Sequence, residues 1–257
     1  MRKLSLKSLL LTAVLGGGTL SSPAFAQEAE EEAKAITLSG SAAIVSDYRF
    51  RGISQTDKNF AVQAGLTASH ESGVYVGVWG SSIDDYVAAG GDQEIDLIAG
   101  FKKSIGDTTV DVGAIYYFYP GAEQLLPGYN SDFAEFYGSV TQAIGPVSAK
   151  LAAAYAPSQS ALDYGFGKED NFYMNFGLSG TVPDTGLGLS AGVGRTFTRS
   201  FLSGGIKYTD WSLGATYTTG PVTLGLSYVD TNKAGFNPIS GKNIYKGGVV
   251  GSLSVAF

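Results

Sequence analysis

Residues 36–51 read Ile-Thr-Leu-Ser-Gly-Ser-Ala-Ala-Ile-Val-Ser-Asp-Tyr-Arg-Phe-Arg, and the reading of this stretch decides the fold. Ile36, Leu38, Gly40, Ala42, Ile44, Tyr48 and Phe50 share one parity; Thr37, Ser39, Ser41, Asp47, Arg49 and Arg51 share the other. Val45 and Ser46 break the rule. Alternation with period two describes a β-strand with one apolar and one polar face. A half-buried strand of a water-soluble sheet shows such alternation over ~4–8 residues. This one runs through to Arg51, ends in aromatics and carries three charges on its polar side, so a single long strand is predicted over 36–51.

The same pattern recurs outward from it. Phe60, Val62, Ala64, Leu66 and Ala68 alternate with Gln63, Thr67 and Ser69; Ile95, Leu97, Ala99 and Phe101 with Glu94, Asp96 and Lys102; Val222, Leu224, Leu226 and Tyr228 with Thr223 and Ser227. Similar runs begin near residues 110, 147, 172 and 211. Four further strands are less clean, at 74–82, 133–142, 187–197 and 245–257. In 74–82 both Val74, Val76, Val78 and Tyr75, Trp79 suit an apolar surface, so its outward face stays unassigned. In 187–197 Arg195 shares the parity of Leu189, Ala191 and Val193, which oil tolerates only if the guanidinium reaches the headgroup level.

These twelve strands are joined alternately by tight turns (near 70–73, 104–107, 144–146, 184–186 and 220–221) and by longer segments (52–58, 83–93, 120–132, 158–170, 198–206 and 232–243). An even strand count, short connections at one end and long ones at the other describe an outer-membrane barrel, with the short ends periplasmic. In hydrocarbon every backbone N–H and C=O must be paired, so a sheet can span only by closing on itself. The fold class is therefore all-β: a transmembrane antiparallel up-and-down β-barrel over 36–257. Aromatics near strand ends (Tyr48, Phe50, Phe118, Tyr155, Trp211, Tyr217 and Tyr228) are expected to form its interfacial girdles.

The rest of the 257-residue sequence agrees. Residues 1–26 carry Arg2, Lys3 and Lys7, an apolar Leu9–Leu15 core and Ala24-Phe25-Ala26, which reads as an export signal cleaved between Ala26 and Gln27. Residues 27–35 form an acidic N-terminal tail. Removing the signal leaves 14 Lys and Arg against 23 Asp and Glu, a net charge of −9, which argues against a nucleic-acid partner. No cysteine is present, so disulfides and thiol chemistry are excluded.

The chain closes on Val249, Leu253, Val255 and Phe257 at one parity. This resembles the signal read by the barrel-assembly machinery, although Gly251 stands where that signal usually has an apolar side chain. Ser46-Asp47-Tyr48-Arg49-Phe50-Arg51-Gly52-Ile53-Ser54-Gln55-Thr56 resembles the proteobacterial Gcw_chp family, described as TorF-type porins. Gly73–Ser81, Glu94–Leu97, Tyr116–Gly121, Asp210–Gly214 and Asp230–Asn232 look like its later blocks. The resemblance implies an outer-membrane barrel and a pore, with no substrate or binding residues attached.

Catalysis has little to work with. The single histidine, His70, falls at a short turn, and no phosphate-cradling loop opens a helix. No enzyme, cofactor or metal is expected; the acidic pairs Asp84-Asp85 and Glu169-Asp170 match no calcium-loop spacing. What stands out is a set of charges on the inward parity of the outer half: Asp47, Arg49, Arg51, Glu94, Asp96, Glu135 and Asp210. They describe either a constriction that filters solutes or a paired network that fills the barrel; both readings stand. Five carboxylates against two arginines point to a slight cation preference in any pore. The expected function is a porin-like channel for small polar solutes or ions in the Gram-negative outer membrane. The alternative is a non-conducting barrel whose extracellular loops carry the function. A monomer in contact with lipid is expected, since trimeric porins are built from larger barrels.

Overall fold

The computed structural model describes residues 35–257 except 123, 125–127, 129, 166 and 168. The export signal, its cleavage site at Ala26 and Gln27, and the tail over 27–34 lie outside the described residues. Fourteen strands follow in chain order: β1 (Ile36–Val45), β2 (Arg49–Phe50), β3 (Ile53–Ser54), β4 (Ala61–His70), β5 (Val74–Ser82), β6 (Gln93–Ile105), β7 (Thr108–Phe118), β8 (Phe133–Ile144), β9 (Val147–Gln159), β10 (Glu169–Thr181), β11 (Leu187–Thr196), β12 (Tyr208–Thr219), β13 (Val222–Thr231) and β14 (Gly248–Ala256). All but β2 and β3 form one closed antiparallel barrel of twelve strands, each beside its neighbours in sequence, with β1 pairing both β4 and β14.

Closure is finished at the C-terminus. The Phe257 N–H donates to Gly40 O (3.0 Å) and the Gly40 N–H to Phe257 O (2.7 Å), which extends the β1–β14 ladder to the last residue. A Cβ at position 40 would lie 2.5 Å from the Phe257 ring, so a side chain there would push that exposed ring aside.

The outer surface is apolar all the way round. Leu38 is 66 % exposed, Val76 55 %, Leu151 51 %, Leu213 62 % and Leu226 61 %, each on a different strand of the wall. Water-soluble proteins rarely expose apolar patches beyond a few hundred Å², and a continuous belt of this kind is stable only against lipid. No helix among the described residues is long and apolar enough to cross a membrane; the strands make the crossing. Parity also settles β5: Val74, Val76 and Val78 face outward, while Tyr75 and Trp79 face in. Arg195 sits at the outer end of β11, donating to Thr209 Oγ1 at 3.0 Å, which keeps its charge at the rim.

The first strand departs from the sequence expectation. It stops at Val45, five residues short of Phe50, and residues 46–60 turn into the lumen instead of continuing up the wall. Tyr48 and Phe50 are therefore not part of the lipid girdle: they are 5 % and 7 % exposed and packed inside. Phe118, Tyr155, Tyr217 and Tyr228 do face outward. The final strand is also shorter than 245–257, beginning at Gly248, and Tyr245 is buried in the loop region. Two single turns of 3-10 helix, Ser160–Leu162 and Phe201–Ser203, cap the extracellular mouth.

Candidate functional site

The inward-folded segment is built on a two-residue hairpin. β2 pairs with β3 through Arg49 opposite Ser54 and Phe50 opposite Ile53, leaving Arg51-Gly52 as the turn. Both turn residues have positive φ, 49° and 85°, the backbone of the primed turns that match strand twist. Gly52 is required twice over. Its φ suits glycine, and a Cβ there would meet Thr231 Cγ2 at 2.7 Å and Asp210 Cβ at 2.8 Å. The hairpin tip therefore touches β12 and β13.

The Arg51 side chain reaches the opposite wall. Its guanidinium donates to both oxygens of Glu135 on β8 (2.7 and 2.6 Å) and to Asn171 Oδ1 on β10 (2.8 Å). It lies between the rings of Phe50 and Tyr173, 4.6 and 4.5 Å from their centroids. In the barrel order β8 and β10 are each five strands from β1, one in either direction, so the segment that leaves β1 spans the lumen. Arg49 stays nearer its origin. It binds Asp47 at 2.6 Å, and it donates to the carbonyls of Gly52, Ile244 and Lys246. Asp47 in turn accepts from Ser54 Oγ at 2.6 Å.

The wall completes the network. Glu94 accepts from the Tyr48 hydroxyl (2.8 Å) and the Tyr119 hydroxyl (2.9 Å). Tyr117 adds a longer contact to Glu135, and Tyr173 bonds Asp210 at 3.1 Å. One oxygen each of Asp96 and Asp210 is buried without a hydrogen-bond partner. Aromatics pack around these groups: Tyr48 meets Trp79 edge-on at 5.5 Å, and Tyr117 stacks on Phe133 at 4.3 Å. Burying charge is tolerable only where it is paired or hydrogen-bonded, and most of this network is.

All seven charges read from parity thus lie inside the outer half, but by two routes. Glu94, Asp96, Glu135 and Asp210 project from wall strands. Asp47, Arg49 and Arg51, expected on the wall of a long first strand, ride on the hairpin instead, because the chain leaves the wall at Ser46. There the Ser46 N–H donates to Gly251 O and its hydroxyl accepts from the Gly251 N–H.

Sequence reading left out the lower half. Tyr75, Asp111 and Tyr137 are bonded together, the two hydroxyls to each other and Tyr75 to Asp111 at 2.7 Å. Lys102 and Lys150 share their inward parity, Lys102 being the cross-strand partner of Asp111. The alternation that exposed the outer carboxylates applies equally here. On the facing wall the inward positions are small, among them Gly192, Ser212, Gly214, Thr216, Gly225 and Ser227. These residues are half-exposed although they point inside, whereas Asn171 and Asp96 in the outer half are 0 and 2 % exposed. The lumen is thus partly open at these positions of the short-turn half, although Asp111, Ser139, Thr223 and Ser254 are buried there, and it is filled in the outer half.

The other candidates stay apart from this network. His70 lies exposed at the β4–β5 turn beside Ser72. Asp84 and Asp85 sit in the β5–β6 loop and Glu169 and Asp170 open β10. Among the described residues no three His, Asp or Glu side chains gather to hold a metal ion.

A solved structure shares this architecture. The NanC porin superposes with a TM-score of 0.57 at 8 % identity, over 86 % of this chain and 99 % of that one. An outer-membrane channel from Pseudomonas putida F1, assigned to COG4313, gives 0.48 at 12 % identity over 90 % and 99 %. No curated protein matches in sequence. The model of a family described as "bacterial protein of unknown function (Gcw_chp)" matches residues 28–251, and the chain belongs to that family.

Proposed function

We propose that this protein is a porin-like channel of the bacterial outer membrane, passing small polar solutes or ions by diffusion past the inward-folded hairpin. The observation that supports the reading is the contrast along the barrel axis: small, partly exposed polar positions in the short-turn half against an outer half narrowed by residues 46–60. A segment that folds into a barrel and leaves charged groups facing it sets the size and charge of what passes. Export by the N-terminal signal and delivery to the barrel-assembly machinery by Val249, Leu253, Val255 and Phe257 belong to the same proposal.

Selectivity follows from the charges. The outer half holds five carboxylates and two arginines, and the lower half adds Asp111 against Lys102 and Lys150. Six acids against four bases leave −2, so a weak cation preference is expected. The second reading is a sealed barrel. It draws on the dryness of the outer half, where Tyr208 is 1 % and Asn171 0 % exposed.

Planar-bilayer recording under a KCl gradient separates the two. Discrete current steps with a reversal potential of the cation-selective sign support the channel. Anion selectivity refutes the charge argument, and the absence of current from heat-modifiable, folded protein leaves the sealed barrel.

A further inference from the structure

Above the hairpin, between it and the extracellular loops, lies a cavity of about 380 Å³. Phe50 and Ile53 of the hairpin form part of its floor, and Tyr86, Tyr164 and Phe236 come from three different loops around it. Small-molecule sites are concave, mostly apolar, and carry a few convergent polar groups; this cavity fits that description. Two polar groups on its lining decide what it would hold.

The first is Glu94. It is 3 % exposed, and among the described residues its two oxygens accept from the Tyr48 and Tyr119 hydroxyls alone. Among the described residues no basic side chain pairs with it. The ion pairs of the region go elsewhere: Arg49 to Asp47, Arg51 to Glu135 and Lys242 to Asp57. The second is Ser131. It is 6 % exposed, and its hydroxyl is buried without a hydrogen-bond partner, leaving it free to bond an occupant.

We infer that this vestibule binds a small organic cation, an ammonium group carried on an apolar body. Aromatic faces attract a desolvated cation through their quadrupole, and a buried carboxylate without a counter-ion gains most from one. An anion would meet Glu94 with nothing to offset the repulsion. A neutral apolar molecule would fill the cavity and leave the charge unmet. The site stands whether or not the barrel conducts, because it lies on the outer side of the hairpin.

Choline is a suitable probe, since 3,3-dimethylbutan-1-ol has its shape without its charge. Titration calorimetry on folded protein in a non-ionic maltoside micelle, which carries no ammonium group, should show saturable choline binding, with the neutral isostere weaker by about tenfold or more. Glu94→Gln, which keeps a tyrosine-bonded side chain of the same size, should lose a similar factor for choline and nothing for the isostere. Phe236→Ala, at a side chain 64 % exposed on the cavity edge, offers a second variant remote from the barrel ladder and should weaken choline as well. Equal binding of choline and its isostere overturns the inference, and so does the absence of choline binding. Neither result bears on ion current, which is read separately in the bilayer.

Discussion

Replacing Arg51 with alanine tests whether the hairpin is a seated, displaceable element. Arg51 and Glu135 are 5 % and 3 % exposed and meet through two short bonds, with Asn171 taking a third. Removing one partner of a buried ion pair costs about 3–5 kcal/mol, because the other charge is left uncompensated. At about 1.4 kcal/mol per factor of ten, the displaced population rises roughly 150- to 5,000-fold. The barrel should survive, since the paired β1–β4 and β1–β14 residues end at Val45 and Arg51 contributes no backbone bond to either ladder. Trypsin added to protein in liposomes reads the displacement, as Arg49 and Lys58 remain cleavable in the variant. When opening is fast relative to cleavage, the cleavage rate follows the open population directly, so it should rise by the same factor. Arg51→Met combined with Glu135→Leu removes both charges and refills the space, and should return the rate to within about tenfold of the parent, as buried pairs replaced by apolar side chains are often neutral. If Arg51→Ala changes cleavage by less than about threefold while the heat-modifiable barrel persists, the hairpin is not held by this pair.

Two further outcomes follow from other parts of the molecule. At the extracellular rim Asp57 is paired with Lys242 at 2.8 Å and bonded by Ser240. Burial alone would raise its pKa, but the hydrogen bonds from Lys242, Asn237 and Ser240 outweigh it and hold the carboxyl below its ordinary 3.8. A depressed carboxylate stabilises fully above its ordinary value and loses its contribution as pH falls through the folded-state value. Pepsin cleavage at Phe236 in the same loop, expressed as parent over Asp57→Asn, should therefore rise toward one from about pH 5 to about pH 2; a flat ratio rejects the latch. On the lipid face, Leu226→Arg should destabilise the barrel by about 2–4 kcal/mol in urea unfolding from liposomes, and a change under about 0.5 kcal/mol would remove Leu226 from the hydrocarbon.

The barrel was readable in the sequence because oil and water impose opposite demands on alternate residues. Leu224, Leu226, Leu213 and Leu151 could face only lipid, and their partners Ser227, Ser212 and Lys150 only the lumen. The alternation of short turns with long loops survived intact, since turn chemistry is local. The hairpin was not readable, for a physical reason. A packed lumen accepts aromatics as readily as lipid does, so Tyr48 and Phe50 satisfy the period whether they sit in a girdle or inside. The broken parity at Val45-Ser46 and the Arg51-Gly52 pair were the available signals. The Arg51–Glu135 contact lies beyond sequence reading altogether, because it joins residues 84 apart through the curvature of the whole barrel.

The hairpin's place in the chain explains how it is held. It leaves β1, the strand on which the barrel closes, and its backbone bonds both to β14, Ser46 N–H to Gly251 O at 2.9 Å, and to the segment that leads into β14, Ser54 N–H to Ile244 O at 3.0 Å. Arg49 adds its own bonds to the carbonyls of Ile244 and Lys246. The groups that would be orphaned by ending β1 early are thus satisfied by the closing strand and its approach. Seating the hairpin and sealing the barrel are coupled at this seam, whereas Arg51 anchors the far end to β8 and β10. The two arginines therefore divide the work. Arg49 ties the segment to the loop that approaches the seam, through Ile244 and Lys246, and Arg51 holds the tip across the lumen against β8 and β10. Were the tip released from Glu135 and Asn171, the β1–β4 and β1–β14 pairs would not be touched, because they end at Val45.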